Sequence, residues 1–293
     1  MQVVIYTREI KDRDRDQIQL LLDTLHEKQI NTYIYLPIKP RVDELVTYKS
    51  DVGVFRDYLD FSIHKIDFFI ALGGDGTMLN AATIVRDSGV PILGINTGRL
   101  GFLATTERKM IAEAVGILLT GRYEIETRSL LTVESNIPIF EDFPHALNDF
   151  TILKRDVSSM ISIHTYINGD YLNSYWADGI IVSTPTGSTG YSLSCGGPIV
   201  FPNSGNFVIT PVAPHNLTVR PIVIPDDAVV SFSVEGRSEN FLCTLDSRFE
   251  LITSEHNIAV QKCPFQINLV RVDDRDFLKT IRDKLAWGKD ARN

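Results

Sequence analysis

The sequence predicts an α/β N-terminal domain built on a parallel sheet, followed by an all-β C-terminal domain, with a C-terminal helix packing back on the first. Three observations predict this. Through the stretch that ends near Gly121, short apolar runs alternate with segments of helical periodicity, the pattern of a parallel sheet covered by helices. Beyond Gly121 the chain becomes a series of short β-type runs divided by Gly, Pro, Asn and Asp. The tail "FLKTIRDKLAW" then returns to helical spacing. The expected division is 1–123, 124–272 and 273–293.

"VVIY" (Val3 to Tyr6) opens as a strand, and "DRDQIQLLLDTLHEK" follows with Ile18, Leu21, Leu22 and Leu25 at helical spacing. "TYIYL" is a second strand. Pro37 to Ser50, with its prolines and charges, reads as a loop. "IDFFIAL" (Ile66 to Leu72) is apolar throughout, as a central parallel strand buried on both faces must be. A helix ended by Gly89, the strand "VPILGIN" and the helix "ERKMIAEAVGILLTG" complete the first part. In the second, "SLLTVES", "FTILK", "ISIHTYING", "GIIVST", "NFVITPV", "PIVIP", "AVVSFSVEG", "FLCTL" and "FQINLV" are the strands. One Gly/Ser/Thr-rich segment interrupts them.

Composition narrows the partners. In 293 residues, 44% are hydrophobic and 23% charged, ordinary for a globular chain. A net charge of −8 with scattered basic residues gives no footprint for nucleic acid. No apolar run reaches membrane-spanning length, so no membrane partner is expected. Cys195, Cys243 and Cys263 lie far apart with no CxxC pair, which argues against a disulfide framework or a zinc site. A cytoplasmic protein is expected.

Four segments carry candidate chemistry. "ALGGDGTMLN" leads from the buried strand into a helix, where open α/β sheets bind ligands. Gly74, Gly76 and Thr77 suit phosphate, because bare N–H groups approach its oxygens closely. Asp75 among them is a carboxylate in an anion-binding loop. It needs a metal ion or a chemical job, unless Asp75 or Thr77 simply caps the helix. "GINTGRLGFLA", with Asn96, Thr97 and Arg99, is a second Gly-rich loop on the neighbouring strand, or a plain β–α turn. "ADGIIVSTPTGSTGYSLSCGGPI" crowds Thr186, Gly187, Ser188, Thr189 and Gly190 together after a strand, with Asp178 upstream as a second isolated carboxylate or an Asx-turn residue. Asn148-Asp149 in "HALNDFTIL" point to opposite faces if extended, and both serve one ligand only from a turn. His215 reads as structural, and Asp246 in "LDSRF" carries little signal by itself.

Taken together these segments resemble the NAD kinase family. Gly73 to Thr77, Asn148-Asp149 and above all "DGIIVSTPTGSTGYSLSCGGPI" carry the resemblance, with "TGRLGF", "PHNLTVRPIVIP" and "LDS" at Asp246 following the family's order. The resemblance implies an active site between an α/β and a β domain, where the γ-phosphate of ATP passes to the 2′-hydroxyl of the adenosine ribose of NAD. It implies a divalent cation, Mg²⁺ by expectation, held mainly by phosphates. By matched position Asp75 is the general base within Gly74–Thr77, and Phe102 lines the NAD site. Asn148 and Asp149 hold adenine and ribose groups, and Asp178 meets the nicotinamide end. Thr186, Thr189, Gly190 and Ser194 line the adenine pocket, and Asp246 joins the binding set. Family members are homo-oligomers that share residues near Asp178 and Tyr191 between subunits, so a homodimer or homotetramer is expected. Asp149 stands where the family often has Glu, and Gly190 where it often has Ala.

GGDGT alone also fits lipid kinases of the diacylglycerol or sphingosine type, which would show an apolar entry or a membrane-facing patch. A non-catalytic dinucleotide sensor is the alternative outside enzymes, and the intact Asp75 speaks against it.

Overall fold

A computed structural model describes residues 1–98, 100–156, 160–272 and 276–286. Arg99 and Trp287, both part of the sequence reading, lie outside the described residues. The chain forms two compact units: Met1–Thr127 with the segment that begins at Ile267, and Arg128–Gln266.

The first unit is α/β. Its strands β1 (Gln2–Tyr6), β2 (Asn31–Tyr35), β3 (Gly53–Phe55), β4 (Phe68–Leu72) and β5 (Ile92–Asn96) pair in the order β3-β2-β1-β4-β5, all parallel. Every residue of β4 and β5 is buried, as their continuous apolar sequence requires. Helices α1 (Arg15–Glu27) and α5 (Ile111–Thr120) lay Leu21, Leu25, Val115 and Leu118 on Val3, Ile5, Ile70 and Leu93 to make one core. Helix α4 (Asp75–Val85) starts directly beyond the carboxyl end of β4. Strand order reverses between β1 and β4, so that end of the sheet is where ligands bind in this architecture. The expected loop over Pro37 to Ser50 is corrected: α2 (Lys39–Leu45) lies inside it. Its proline occupies the first helical turn, where a missing N–H costs nothing, and Val42 buries the inner face. A short helix α3 (Asp60–Ile63) and the two-residue strand β6 (Thr106–Glu107) complete this part.

The second unit is a β-sandwich of antiparallel pairs. Strand β7 (Glu124–Ser135) leads into it and pairs with β8 (His145–Ala146). One sheet runs β14-β13-β12-β9-β16-β17, built from β9 (Asp149–Lys154), β12 (Gly179–Ser183), β13 (Asn206–Val212), β14 (Ile222–Pro225), β16 (Phe241–Leu245) and β17 (Arg248–Ile252). The other contains β10 (Ile161–Ile167), β11 (Asp170–Ala177), β15 (Val230–Glu235) and the first part of β18 (Ile258–Arg271). Phe150 of one sheet stacks on Phe232 of the other at 5.9 Å, within a core that also holds Phe207 and Phe241. The Gly/Ser/Thr-rich interruption is a 3₁₀ turn, Gly187–Thr189, followed by the single-turn helix α6 (Tyr191–Ser194). Farther along β18, Leu269 pairs with Ile92 of β5. Helix α7 (Phe277–Leu285) returns to the first unit, where Phe277 lies 6.5 Å from Phe102 and the Lys284 ammonium 5.8 Å from the same ring.

Candidate active site

Asp75 is the first residue of α4, with Gly74 as its N-cap. Its side chain does not cap its own helix. Instead it reaches the second Gly-rich loop, where Phe102 N–H donates to Oδ2 at 2.8 Å and Leu103 and Ala104 N–H donate to Oδ1 at 2.9 and 3.1 Å. Gly101 makes that approach possible, since a Cβ there would stand 1.9 Å from Asp75 Oδ1. Asn96 holds the same loop from β5, accepting from Gly98 N–H at 2.7 Å and donating to the Ala104 carbonyl at 3.3 Å. The two Gly-rich loops, read separately in the sequence, are thus tied by one carboxylate. A carboxylate has about four lone-pair positions, and among the described residues three amides leave one on Oδ2. Gly74 and Gly76 on either side are exposed, and a Cβ at Gly74 would meet nothing within 4 Å. The protein's own packing does not explain why Gly74 lacks a side chain.

In the second unit, two segments distant in sequence close around Asn148-Asp149. The Thr184 N–H donates to the Asn148 carbonyl at 2.8 Å, and its hydroxyl donates to the Leu147 carbonyl at 2.6 Å. Gly187 lies flat on Asn148, where a Cβ would fall 2.1 Å from the carbonyl oxygen. From the β16–β17 turn, Asp246 accepts from Leu147 N–H at 2.9 Å, Asn148 N–H at 2.8 Å and Asp149 N–H at 3.2 Å. Asp246, expected in the binding set, therefore has both oxygens engaged by backbone.

Of the hydroxyls in the interruption, Ser188 and Ser192 are internal props: Ser188 accepts from Val200 N–H and Ser192 pairs with Thr210. Thr189 donates to the Thr186 carbonyl at 3.2 Å. The Ser183 and Thr186 hydroxyls and Asn148 Oδ1 are buried without a hydrogen-bond partner among the described residues. Buried polar atoms are nearly always paired, so such a set calls for a missing partner. Gly190 borders the same place: a Cβ there would lie 3.5 Å from Asn148 Nδ2 and 3.7 Å from Asp149 Oδ2. Ser194 is exposed, and Tyr191 is partly exposed beside Cys195. Burial, and then the nearby charge of Asp246, push the Asp149 carboxyl up to about 8. Asp178 is paired with Lys154 at 2.7 Å. His215 is exposed; its backbone N–H donates to the Trp176 carbonyl at 2.9 Å and the two rings lie 4.3 Å apart.

Thr184, Lys154 and Arg248 were not among the residues expected at the site. Thr184 lies within the quoted STPTGST segment and was open to selection; Lys154 and Arg248 become visible only through strand pairing. Among the described residues no group of three or more His, Cys, Asp or Glu side chains forms a metal cage.

Comparison with known proteins agrees with both halves. The family profile for the ATP-NAD kinase N-terminal domain matches residues 8–123, and that for the ATP-NAD kinase C-terminal domain matches residues 147–272. A NAD kinase of Cytophaga hutchinsonii is 47% identical over 99% of both chains. Among solved structures, yeast NADH kinase complexed with NADH has a TM-score of 0.87 at 22% identity, covering 99% of this chain and 88% of that one. A NAD kinase from Archaeoglobus fulgidus in complex with ATP has a TM-score of 0.73 at 22% identity, covering 98% and 99%. These two likenesses are of fold. With two domain profiles spanning most of its length and a relative this similar end to end, the chain belongs to the NAD kinase family.

Proposed function

We infer that the protein phosphorylates NAD, passing the γ-phosphate of ATP to the 2′-hydroxyl of the adenosine ribose to give NADP and ADP. The observation that supports this best is Asp75, a carboxylate at a helix N-terminus with one oxygen position open and exposed glycines on both sides. The first N–H groups of α4 lack intrahelical partners and favour an anion. In the transfer, Asp75 Oδ2 takes the proton of the acceptor hydroxyl as its oxygen bonds to the γ-phosphorus. The bond from that phosphorus to the β–γ bridging oxygen breaks, and ADP leaves. A divalent cation, Mg²⁺ in this reading, would neutralise charge on the phosphates.

Asn148, Asp149, Thr186, Thr189, Gly190 and Ser194 take the adenosine end, and Phe102 lines the NAD site. With its carboxyl raised to about 8, Asp149 keeps its proton at neutral pH and presents an O–H donor. Asp178 takes the nicotinamide end as half of an ion pair with Lys154. The working form is a cytoplasmic homodimer or homotetramer. The family match runs through both domains, so a GGDGT-type lipid kinase is not favoured. The test is an assay of the full chain with ATP, Mg²⁺ and NAD, read by an NADP-specific dehydrogenase. NADP formation is expected, and its absence would overturn the reading.

A further inference from the structure

Within the second unit, one short segment has every backbone polar group engaged. Leu147, Asn148 and Asp149 donate all three N–H groups to the Asp246 carboxylate. Their carbonyls accept from the Thr184 hydroxyl, the Thr184 N–H and the Asp246 N–H, the last at 3.0 Å. Two residues on, the Arg248 guanidinium donates to the carbonyls of Phe143 and His145, just upstream. The turn between β16 and β17 and the first residue of β17 thus offer an acceptor and a donor to one approaching segment, Asp246 gripping its amides and Arg248 its carbonyls. The side chains of Asn148 and Asp149 are left for other work, and Asn148 Oδ1 is buried and without a partner among the described residues.

We propose that Asp246 is a positioning residue for the dinucleotide: without touching it, its carboxylate fixes the backbone from which Asn148 and Asp149 reach the adenosine end. The proposal rests on the NAD reading given above. Asp246 also holds φ of 52°, a left-handed conformation uncommon outside glycine. Such conformations persist where the surroundings over-determine them. A turn alone has no need of a carboxylate there, whereas three amides aimed at one point do. Burial raises the proton affinity of Asp246, and the three amides and Arg248 oppose that rise.

Asp246→Asn is the informative variant, because asparagine tolerates left-handed φ as well as aspartate does. It keeps one acceptor oxygen and turns an NH₂ donor toward amides that are themselves donors. NAD affinity by calorimetry, melting temperature and steady-state kinetics would be measured side by side. The expected result is a folded protein whose Kd and KM for NAD rise about tenfold or more, with kcat changed far less. An NAD affinity within about twofold of wild type overturns the proposal, whatever happens to the melting temperature. Should that variant not fold, Arg248→Lys loosens the same grip while leaving Asp246 in place. It is expected to weaken NAD about threefold, and unchanged affinity counts against the proposal. A wild-type chain that does not bind NAD at all would sink the functional reading itself, which separates the two failures.

Discussion

At the residue scale, Asp75 and Asp246 solve the same local problem in different units: each gathers three consecutive backbone amides. They differ in what is left over. Asp75 keeps an open position beside exposed glycines, while Asp246 is enclosed by the strand it holds. Asp75→Asn is therefore expected to cost both rate and loop order. A general base contributes about 10²–10⁴-fold, and the loss should fall on kcat. One amide left facing an NH₂ group should lower stability by about 1–3 kcal/mol. Kinetics beside thermal melting separate the two, and near-normal kcat with a lowered melting temperature would leave Asp75 as a loop tether only. Asp149 gives a pH prediction. Its carboxyl is raised to about 8 in the fold, against about 3.9 for an unfolded aspartate. Between those values the unfolded chain releases a proton that the native state keeps, so stability falls as pH rises and levels off above about 8. The contribution is fully present only below the unfolded value. Asp149→Asn should flatten the melting-temperature profile between about pH 5 and pH 8, and an unchanged slope there would refute the assignment.

At the scale of elements, what the sequence made legible was what depends on neighbours along the chain. Continuous apolar runs marked β4 and β5, and glycine spacing marked the loop between β4 and α4. Prolines inside 37–50 hid α2, because a breaker in a helix interior is neutral in its first turn. Strand β11 was missed because it lies half-exposed, without clean alternation of apolar residues. The site was legible as a set of loops but not as a set of bonds: Asp75 and Phe102 are 27 residues apart, and Asp246 and Leu147 are 99 apart. Glycines could be seen to matter, yet not which kind of closeness each one serves. Two substitutions draw that distinction. At Gly187 a Cβ would meet the Asn148 carbonyl at 2.1 Å, so Gly187→Ala should destabilise by about 1–3 kcal/mol or more and weaken NAD binding with it. At Gly74 a Cβ meets no protein atom within 4 Å, so Gly74→Ala should leave stability within about 0.5 kcal/mol. If phosphate approaches this loop, the same methyl group should raise the KM for ATP. Both melting and kinetics are needed, and a Gly74→Ala enzyme with wild-type KM would place the phosphates elsewhere.

At the scale of the whole molecule, the question is whether one chain suffices. The chain carries a net charge of −8, so copies of it repel at long range and any association must come from apolar contact or local pairing. The second unit exposes large apolar side chains: Leu217 is 85% exposed, Phe249 69%, Tyr171 60% and Trp176 52%. Trp176 lies two residues from Asp178, which is expected to lie in the segment shared between subunits. Sedimentation velocity at assay concentration is expected to show a homodimer or homotetramer. Added salt offers a second measurement on the same sample, since it screens exposed charges beyond about 8–10 Å at physiological strength while apolar contact survives. An oligomer held by these side chains should therefore persist or tighten as salt rises, because the like-charge repulsion is what weakens. Dissociation by salt would assign the contact to ion pairs instead. A monomer with full activity on NAD would end the shared-site expectation, and would leave Asp178 and Tyr191 to serve the NAD site from within one chain.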